Sequence, residues 1–143
     1  MPTDPIGMTW AELKEGQAIN PFTLPPVSRT DIVKYQGASG DFDAAHHDDA
    51  HARRFGYPGV FSLGMLHGGI LGNYATSLFG AENIRRFRVR FRDIVYPGDE
   101  LSYSGTIARK REEQGLRLVE VDLTCAKSDG SVAVSGNAVF VVP

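Results

Sequence analysis

The apolar residues between Leu63 and Phe79 recur with the spacing of a helix rather than that of a strand. Within this segment three glycines at four-residue intervals share one helix face: Gly64, Gly68 and Gly72. Because each interior glycine costs a helix about 1 kcal/mol relative to alanine, tertiary packing must hold the helix together. We therefore predict a buried helix over 63–79, ended by Gly80, whose glycine face lets another backbone come close.

After this helix, four segments alternate apolar and polar residues, which is the period of half-buried strands. They cover residues 84–95, 101–107, 116–126 and 132–142. Pro97-Gly98-Asp99 and Asp129-Gly130 are turn signals between them, and a charged tip over 109–115 ends the second strand. We expect the four strands to form an antiparallel meander.

Smaller elements precede the central helix. A strand over 17–24 leads to a helix that Ser28 or Thr30 caps and that Gly37 and Gly40 close, and a helical turn follows over 50–55. These elements predict an α+β domain in which a curled antiparallel sheet wraps around one long central helix. Such a sheet leaves strand edges open, so we expect pairing with a second copy or with a related subunit.

Composition narrows the class of protein. At 143 residues, 42% hydrophobic and 22% charged, the chain is expected to form one globular domain, residues 1–143. A formal charge of -2 favours neither nucleic acid nor a membrane surface as a partner. The start of the sequence, MPTDPIGMTW, lacks the pattern of a signal peptide, and no apolar run could span a membrane, so a cytoplasmic location is expected. Cys125, the single cysteine, lies in an alternating segment and is predicted to be a small core residue.

Candidate chemistry is concentrated between Tyr35 and Tyr74. All four histidines lie in this stretch, and three of them belong to a dense set of ionisable side chains: Asp41, Asp43, His46, His47, Asp48, Asp49 and His51. Crowded carboxylates and imidazoles next to an apolar helix start are a poor arrangement for stability alone. We therefore interpret the segment as a functional site.

The motif GDFDAAH, residues 40–46, resembles the hydratase signature GDxNPxH of the MaoC-like, or (R)-specific enoyl-CoA hydratase, family. The segments FSLGML and FRVRFRDIVYPGDEL are also similar to the family, and the resemblance runs from about Gly16 to the end. It implies the hot-dog fold, which agrees with the predicted elements. The sequence departs from the family at Asp43-Ala44, which replaces the usual Asn-Pro, at Leu63, where a histidine is common, and at Gly72, where well-known members have a serine.

The resemblance implies water addition to a 2-enoyl thioester. Asp41 would be the general base and His46 would share the attacking water and return a proton, while the backbone N–H of Gly64 would stabilise enolate charge. The substrate would be carried by coenzyme A or by an acyl carrier protein, without any other cofactor. Four further residues are candidates for substrate contact, with core packing as the alternative: Leu63, Tyr57, Phe61 and Gly72.

Several residues also have plainer interpretations. Asp41 and His46 could be ordinary loop residues, since a short motif match is weak by itself. His47, Asp48, Asp49 and His51 could bind zinc or iron, but we favour the absence of a metal, because neighbours in sequence rarely converge on one ion. His67 is predicted to be a packed histidine with one partner. Arginines also alternate along one strand, at Arg86, Arg88, Arg90 and Arg92. This stripe could contact the phosphates of coenzyme A or the acidic face of an acyl carrier protein, and a solvated outer face of the sheet explains it equally well.

Three functions are compatible with these observations. The first is an enoyl-thioester hydratase, or 3-hydroxyacyl-thioester dehydratase, that uses Asp41 and His46. The second is a hot-dog acyl-CoA thioesterase, in which a carboxylate directs water at the carbonyl carbon. The third is a non-catalytic or partner-dependent subunit of a heteromeric hydratase, which the altered positions Asp43, Leu63 and Gly72 favour. A homodimer is expected, and a heteromer with a related MaoC-like subunit is the alternative.

Overall fold

The computed structural model describes residues 8–142, so residues 1–7 and 143 of the predicted domain lie outside the described part. Its helices are α1 (Arg29–Ser39), α2 (Asp49–Arg54) and α3 (Gly64–Phe79), with 3-10 turns at Ala44–His46 and Ala81–Asn83. The strands are β1 (Ala18–Thr23), β2 (Ile84–Phe91), β3 (Leu101–Glu113), β4 (Leu116–Lys127) and β5 (Val132–Val141).

The helix before the site begins and ends at residues with a clear physical role. Ser28 caps α1, since its side chain accepts from the backbone N–H of Asp31 and the Asp31 carboxylate accepts from the backbone N–H of Ser28. Gly40 ends the helix in the left-handed conformation, with φ 75°, which a residue with a side chain rarely adopts. Of the predicted caps, Ser28 and Gly40 are therefore the ones used.

All five strands form one antiparallel sheet with the order β1-β3-β4-β5-β2. The predicted meander is correct for β3, β4 and β5 but wrong for β2, which pairs with β5 and not with β3. The chain from Phe91 to Leu101 crosses from one side of the sheet to the other, so both β1 and β2 are edge strands. The curled sheet with one long helix is the predicted hot-dog fold.

Two strand boundaries also differ from the prediction. β3 does not end before the charged tip but continues through it to Glu113, because each residue there still pairs with β4, as Lys110 does with Val119. Its side chains reach solvent in this part, which a strand tolerates on its outer face. β2 ends at Phe91, four residues before the predicted end at Val95.

The core lies between α3 and the sheet. Leu71, Tyr74, Ala75 and Leu78 of α3 are buried against strand residues that include Tyr103, Val121, Leu123 and Phe140. Cys125 belongs to this core, as predicted, and burial raises the pKa of its thiol to about 11, which keeps the thiol protonated.

The glycine face of α3 contacts aromatic rings rather than another backbone, contrary to the prediction. A Cβ atom on Gly64 would lie 3.0 Å from the ring of Phe91, and one on Gly72 would lie 3.5 Å from the ring of Phe87. The glycines therefore make room for the inward side chains of β2. Met65, on the first turn, is 58% exposed, so the helix is not buried on every side.

Candidate active site

The loop after α1 is folded by its own carboxylates. The side chain of Asp43 accepts from the backbone N–H of Ala45 at 2.8 Å and caps the 3-10 turn that contains His46. Asp48 accepts from the backbone N–H groups of Ala50 and His51 and so caps α2. Two acidic residues of the cluster thus determine the path of the loop.

The side chain of Gln36 holds the backbone of this loop, a role that no motif in the sequence indicates. Its side chain is buried, and its Nε2 donates to the carbonyl oxygens of Asp41 at 3.0 Å and Asp43 at 3.1 Å. Its Oε1 lies 3.1 Å from Nδ1 of His47, so that ring nitrogen is the donor. One signal was available: Gln36 follows the buried Ile32 by four residues and therefore shares its helix face.

His46 is oriented by the segment before α3. Its Nδ1 lies 2.7 Å from the carbonyl oxygen of Phe61, and since a carbonyl only accepts, Nδ1 carries the proton. The Phe61 ring meets the imidazole edge-on, with centroids 4.8 Å apart, and packs at an inclination of 49° against the ring of Tyr57, with centroids 4.5 Å apart. In this tautomer Nε2 carries the lone pair and can accept a hydrogen bond.

His46 and Phe61 line a cavity of about 300 Å³ at the N-terminus of α3. Gly64 and Met65 from the helix, and Phe91 from the end of β2, form other parts of its wall. Among residues 8–142, no side chain caps this end of α3, so its first backbone N–H groups and the helix dipole lie next to a mostly apolar space. The position favours a ligand that develops negative charge.

The remaining candidates lie at different distances from this cavity. Asp41 is exposed on the loop, where its carboxylate accepts from the backbone N–H of Asp43 at 3.3 Å, and it does not line the cavity of the single chain. Leu63 is buried as the N-cap residue of α3, and Tyr57 reaches the site only through Phe61. Gly72 lies two turns further along the helix, against Phe87 and away from the cavity.

The acidic and imidazole side chains considered as metal ligands have structural partners instead. Asp49 accepts from the backbone N–H of Val60 and forms an ion pair with Arg29 at 2.8 Å, and both contacts lower its pKa. His51 packs on the ring of Phe55. Within residues 8–142, no group of three or more His, Cys, Asp or Glu side chains is placed to hold a metal ion.

His67 has two partners rather than the predicted one. Its Nε2 lies 2.8 Å from Oγ of Ser62 and its Nδ1 lies 3.2 Å from the hydroxyl of Tyr103. Only 1% of the residue is exposed, and this burial lowers its pKa to about 4, so the imidazole is neutral at pH 7. His67 lines the cavity of His46 and also a second, larger cavity of about 490 Å³.

The arginine stripe lies on the outer, solvated face of β2 and continues to Arg92, the residue after its end. Arg86 contacts Glu120 and Asn137, and Arg92 donates to the hydroxyl of Ser135. Arg88 and Arg90 are exposed between them. Separately, none of the helices in the described part of the chain is long and apolar enough to cross a membrane.

Residues 13–128 match the family model of the MaoC like domain. A mitochondrial 3-hydroxyacyl-[acyl-carrier-protein] dehydratase from Arabidopsis thaliana is 26% identical over 117 residues, which cover 81% of this chain and 70% of that protein.

Two solved structures are similar in fold. The R-hydratase PhaJ1 from Pseudomonas aeruginosa superposes with a TM-score of 0.80 at 24% identity, over 94% of this chain and 85% of that chain. A chain of the ChsH1-ChsH2 complex from Mycobacterium tuberculosis gives a TM-score of 0.77 at 21% identity, over 91% of this chain and 98% of that chain.

Proposed function

The chain belongs to the MaoC-like domain family, and on that premise we propose that it adds water reversibly to the double bond of a 2-enoyl thioester. In the reverse direction it would remove water from a 3-hydroxyacyl thioester. Asp41 acts as the general base on the water that attacks C3, and His46, which shares that water at Nε2, returns the proton taken from it to C2, so that one water supplies both the OH and the H and both side chains end as they began. The activity is that of a hydro-lyase and requires no cofactor besides the carrier of the thioester.

One observation carries the proposal: His46 presents a defined tautomer to a mostly apolar cavity. Its Nδ1 proton is engaged by the carbonyl oxygen of Phe61, so proton exchange with a bound water takes place at Nε2. Gln36 holds the backbone of Asp41 on the same loop, which keeps the carboxylate and the imidazole in one rigid segment. This bracing compensates for the absence of the Asn-Pro pair.

The thioester carbonyl is placed at the start of α3. The backbone N–H of Gly64 donates to the oxygen on which enolate charge develops, and the helix dipole adds to the stabilisation. Since the Gly64 side of the helix contacts the ring of Phe91, a side chain here would displace that ring as well as narrow the cavity. Phe61 forms the aromatic side of the pocket and is backed by Tyr57, while Leu63 and Gly72 support the helix that the substrate contacts.

The site is completed by assembly. Phe42, Met65 and Phe91 are 64%, 58% and 47% exposed around the loop and the cavity, which is costly for large apolar side chains in a single chain. A second copy that covers them would also bring Asp41 out of bulk solvent. We propose a homodimer as the active form, with coenzyme A or an acyl carrier protein as the substrate carrier.

The test follows the ultraviolet absorbance of the enoyl thioester after purified protein is added to crotonyl-CoA. We expect the absorbance to fall and a 3-hydroxyacyl product to form. Asp41→Asn should reduce the rate by about 10² or more. Asp43→Asn is the matched control on the same loop, because it removes the same charge yet keeps the oxygen that caps the 3-10 turn, and it should stay within a few-fold of the parent.

The same assay separates the alternatives. Release of free coenzyme A thiol without a 3-hydroxyacyl product would indicate a thioesterase. A folded protein that changes no enoyl thioester alone, but gains activity with a related MaoC-like subunit, would be a partner-dependent subunit. Equal rates for Asp41→Asn and the parent would contradict the proposed mechanism.

A further inference from the structure

The cavity of His46 and the larger cavity of about 490 Å³ share one wall, the side chain of His67. The larger cavity lies between α1, α3 and the start of β3, on the side of α3 away from Phe91. Neither Asp41 nor His46 lines it. The lining of this larger cavity is mostly apolar and includes Tyr35, Leu66, Ile70, Leu101 and Tyr103.

His67 is held in this wall from both sides. A neutral imidazole offers one N–H and one lone pair, and the hydroxyl groups of Ser62 and Tyr103 engage one ring nitrogen each. Rotating the ring out of the wall would break both hydrogen bonds and leave the buried Tyr103 hydroxyl without this partner, which is unfavourable for a buried polar group. The wall is therefore a fixed partition and not a flexible gate.

We propose that His67 determines acyl-chain specificity by closing the catalytic cavity against the larger one. This inference rests on the proposed hydratase function and names its substrate class: thioesters of short acyl groups, whose tail ends before the imidazole. A cavity of about 300 Å³ with Phe61, Gly64 and Phe91 in its wall has room for the reacting carbons and a short tail. A longer tail would need the second cavity, which His67 blocks.

The test compares hydration of crotonyl-CoA and octenoyl-CoA by the parent and by His67→Ala. We expect the parent to prefer crotonyl-CoA strongly. The alanine variant removes the partition, so the ratio of kcat/KM for octenoyl-CoA to that for crotonyl-CoA should rise by about tenfold or more, since each methylene accommodated in an apolar pocket is worth a comparable factor.

Two further variants test whether the size of the His67 side chain, rather than its hydrogen bonding, sets the preference for acyl-chain length. His67→Leu loses both hydrogen bonds but keeps a bulky side chain in the wall, and it should retain the parent's chain-length preference. Ile70→Trp fills the larger cavity from α3; in the parent it should leave the crotonyl-CoA rate unchanged, and in His67→Ala it should abolish the gain on octenoyl-CoA.

The outcomes separate this inference from the proposed function. A parent protein that hydrates neither substrate would contradict the function itself. A parent that hydrates octenoyl-CoA as well as crotonyl-CoA would overturn the partition, and this comparison needs no variant. A folded His67→Ala protein, with a cooperative melting transition and an unchanged substrate ratio, would also overturn it.

Discussion

Two buried polar residues shape the site: the side chain of Gln36 holds the loop of Asp41 and His46, and the side chain of His67 forms part of the cavity wall. Neither role was recognised from the sequence. The spacing of Asp41 and His46 could be recognised because both belong to one short motif. The partners of Gln36 are backbone carbonyls of that motif, and those of His67 are hydroxyl groups up to 36 residues away. Such contacts depend on the path of the chain, so a residue type alone does not reveal them.

Removing the Gln36 amide should loosen the loop without touching the substrate. We expect Gln36→Leu to lower kcat by about 10- to 100-fold, because small displacements of a catalytic group have effects of this size, while KM changes little. Steady-state kinetics on crotonyl-CoA check this. Lys34→Ala, on the exposed side of the same helix, should behave like the parent. Equal losses in the two variants would argue against a positioning role.

The depressed pKa of His67 makes part of the stability depend on pH. In the unfolded chain the imidazole binds a proton near pH 6.5, whereas in the fold it does so near pH 4. The free energy of unfolding therefore has its full value, as far as His67 is concerned, above pH 6.5. It falls as the pH drops from 6.5 towards 4, because the unfolded chain takes up the proton first, and the total loss is about 3 kcal/mol. Denaturant unfolding across this range should show a shallower loss for His67→Leu than for the parent. Parallel curves for the two proteins would contradict the assignment.

At the scale of elements, local patterns predicted the strands and helices well but not the order of the strands. Alternation marks a strand wherever one face is buried, and the caps Ser28 and Gly40 act through neighbouring residues. The position of β2 beside β5 depends on pairs such as Phe91 with Val134, which no local signal encodes. For the same reason the sequence could not show that the glycine face of α3 receives Phe87 and Phe91.

Substitution by alanine should have opposite effects on stability at two glycines of the domain, Gly72 and Gly136. At Gly72 the added methyl group would meet Phe87 at 3.5 Å, an ordinary contact, so Gly72→Ala should stabilise α3 by about 0.5–1 kcal/mol. At Gly136 it would lie 3.1 Å from the carbonyl oxygen of Arg88 and 3.2 Å from Leu71, so Gly136→Ala should destabilise the protein. Thermal unfolding of both variants gives the signs, and a lower melting temperature for Gly72→Ala would contradict the expectation.

At the scale of the whole molecule, the single chain exposes strand edges and apolar side chains that a second subunit would cover. Within the part of the chain that the structure describes, the edge strands β1 and β2 each have one side without a strand partner, and the exposed apolar residues Phe42 and Met65 lie near the loop and the start of α3. Open edges could be anticipated from the strand pattern. The surface that pairs with a second chain could not be predicted, because it depends on how β2 is placed in the sheet.

The assembly is open to direct measurement. We expect light scattering after size exclusion to give about twice the chain mass of 15.6 kDa. Dilution until the dimer dissociates should reduce the specific activity on crotonyl-CoA in parallel with the dimer fraction. Full activity of a monomeric species would exclude a site completed by the second copy.

The displaced position of β2 also has a consequence for the order of folding. β3, β4 and β5 pair with their neighbours in sequence, so short loop closures suffice to form them. β2 gains its ladder only after β5 exists, because Ile84 pairs with Phe140 across the intervening hairpins. Phe91 at its end is part of the cavity wall. The pocket that receives the substrate is thus expected to assemble late, after most of the sheet has already formed.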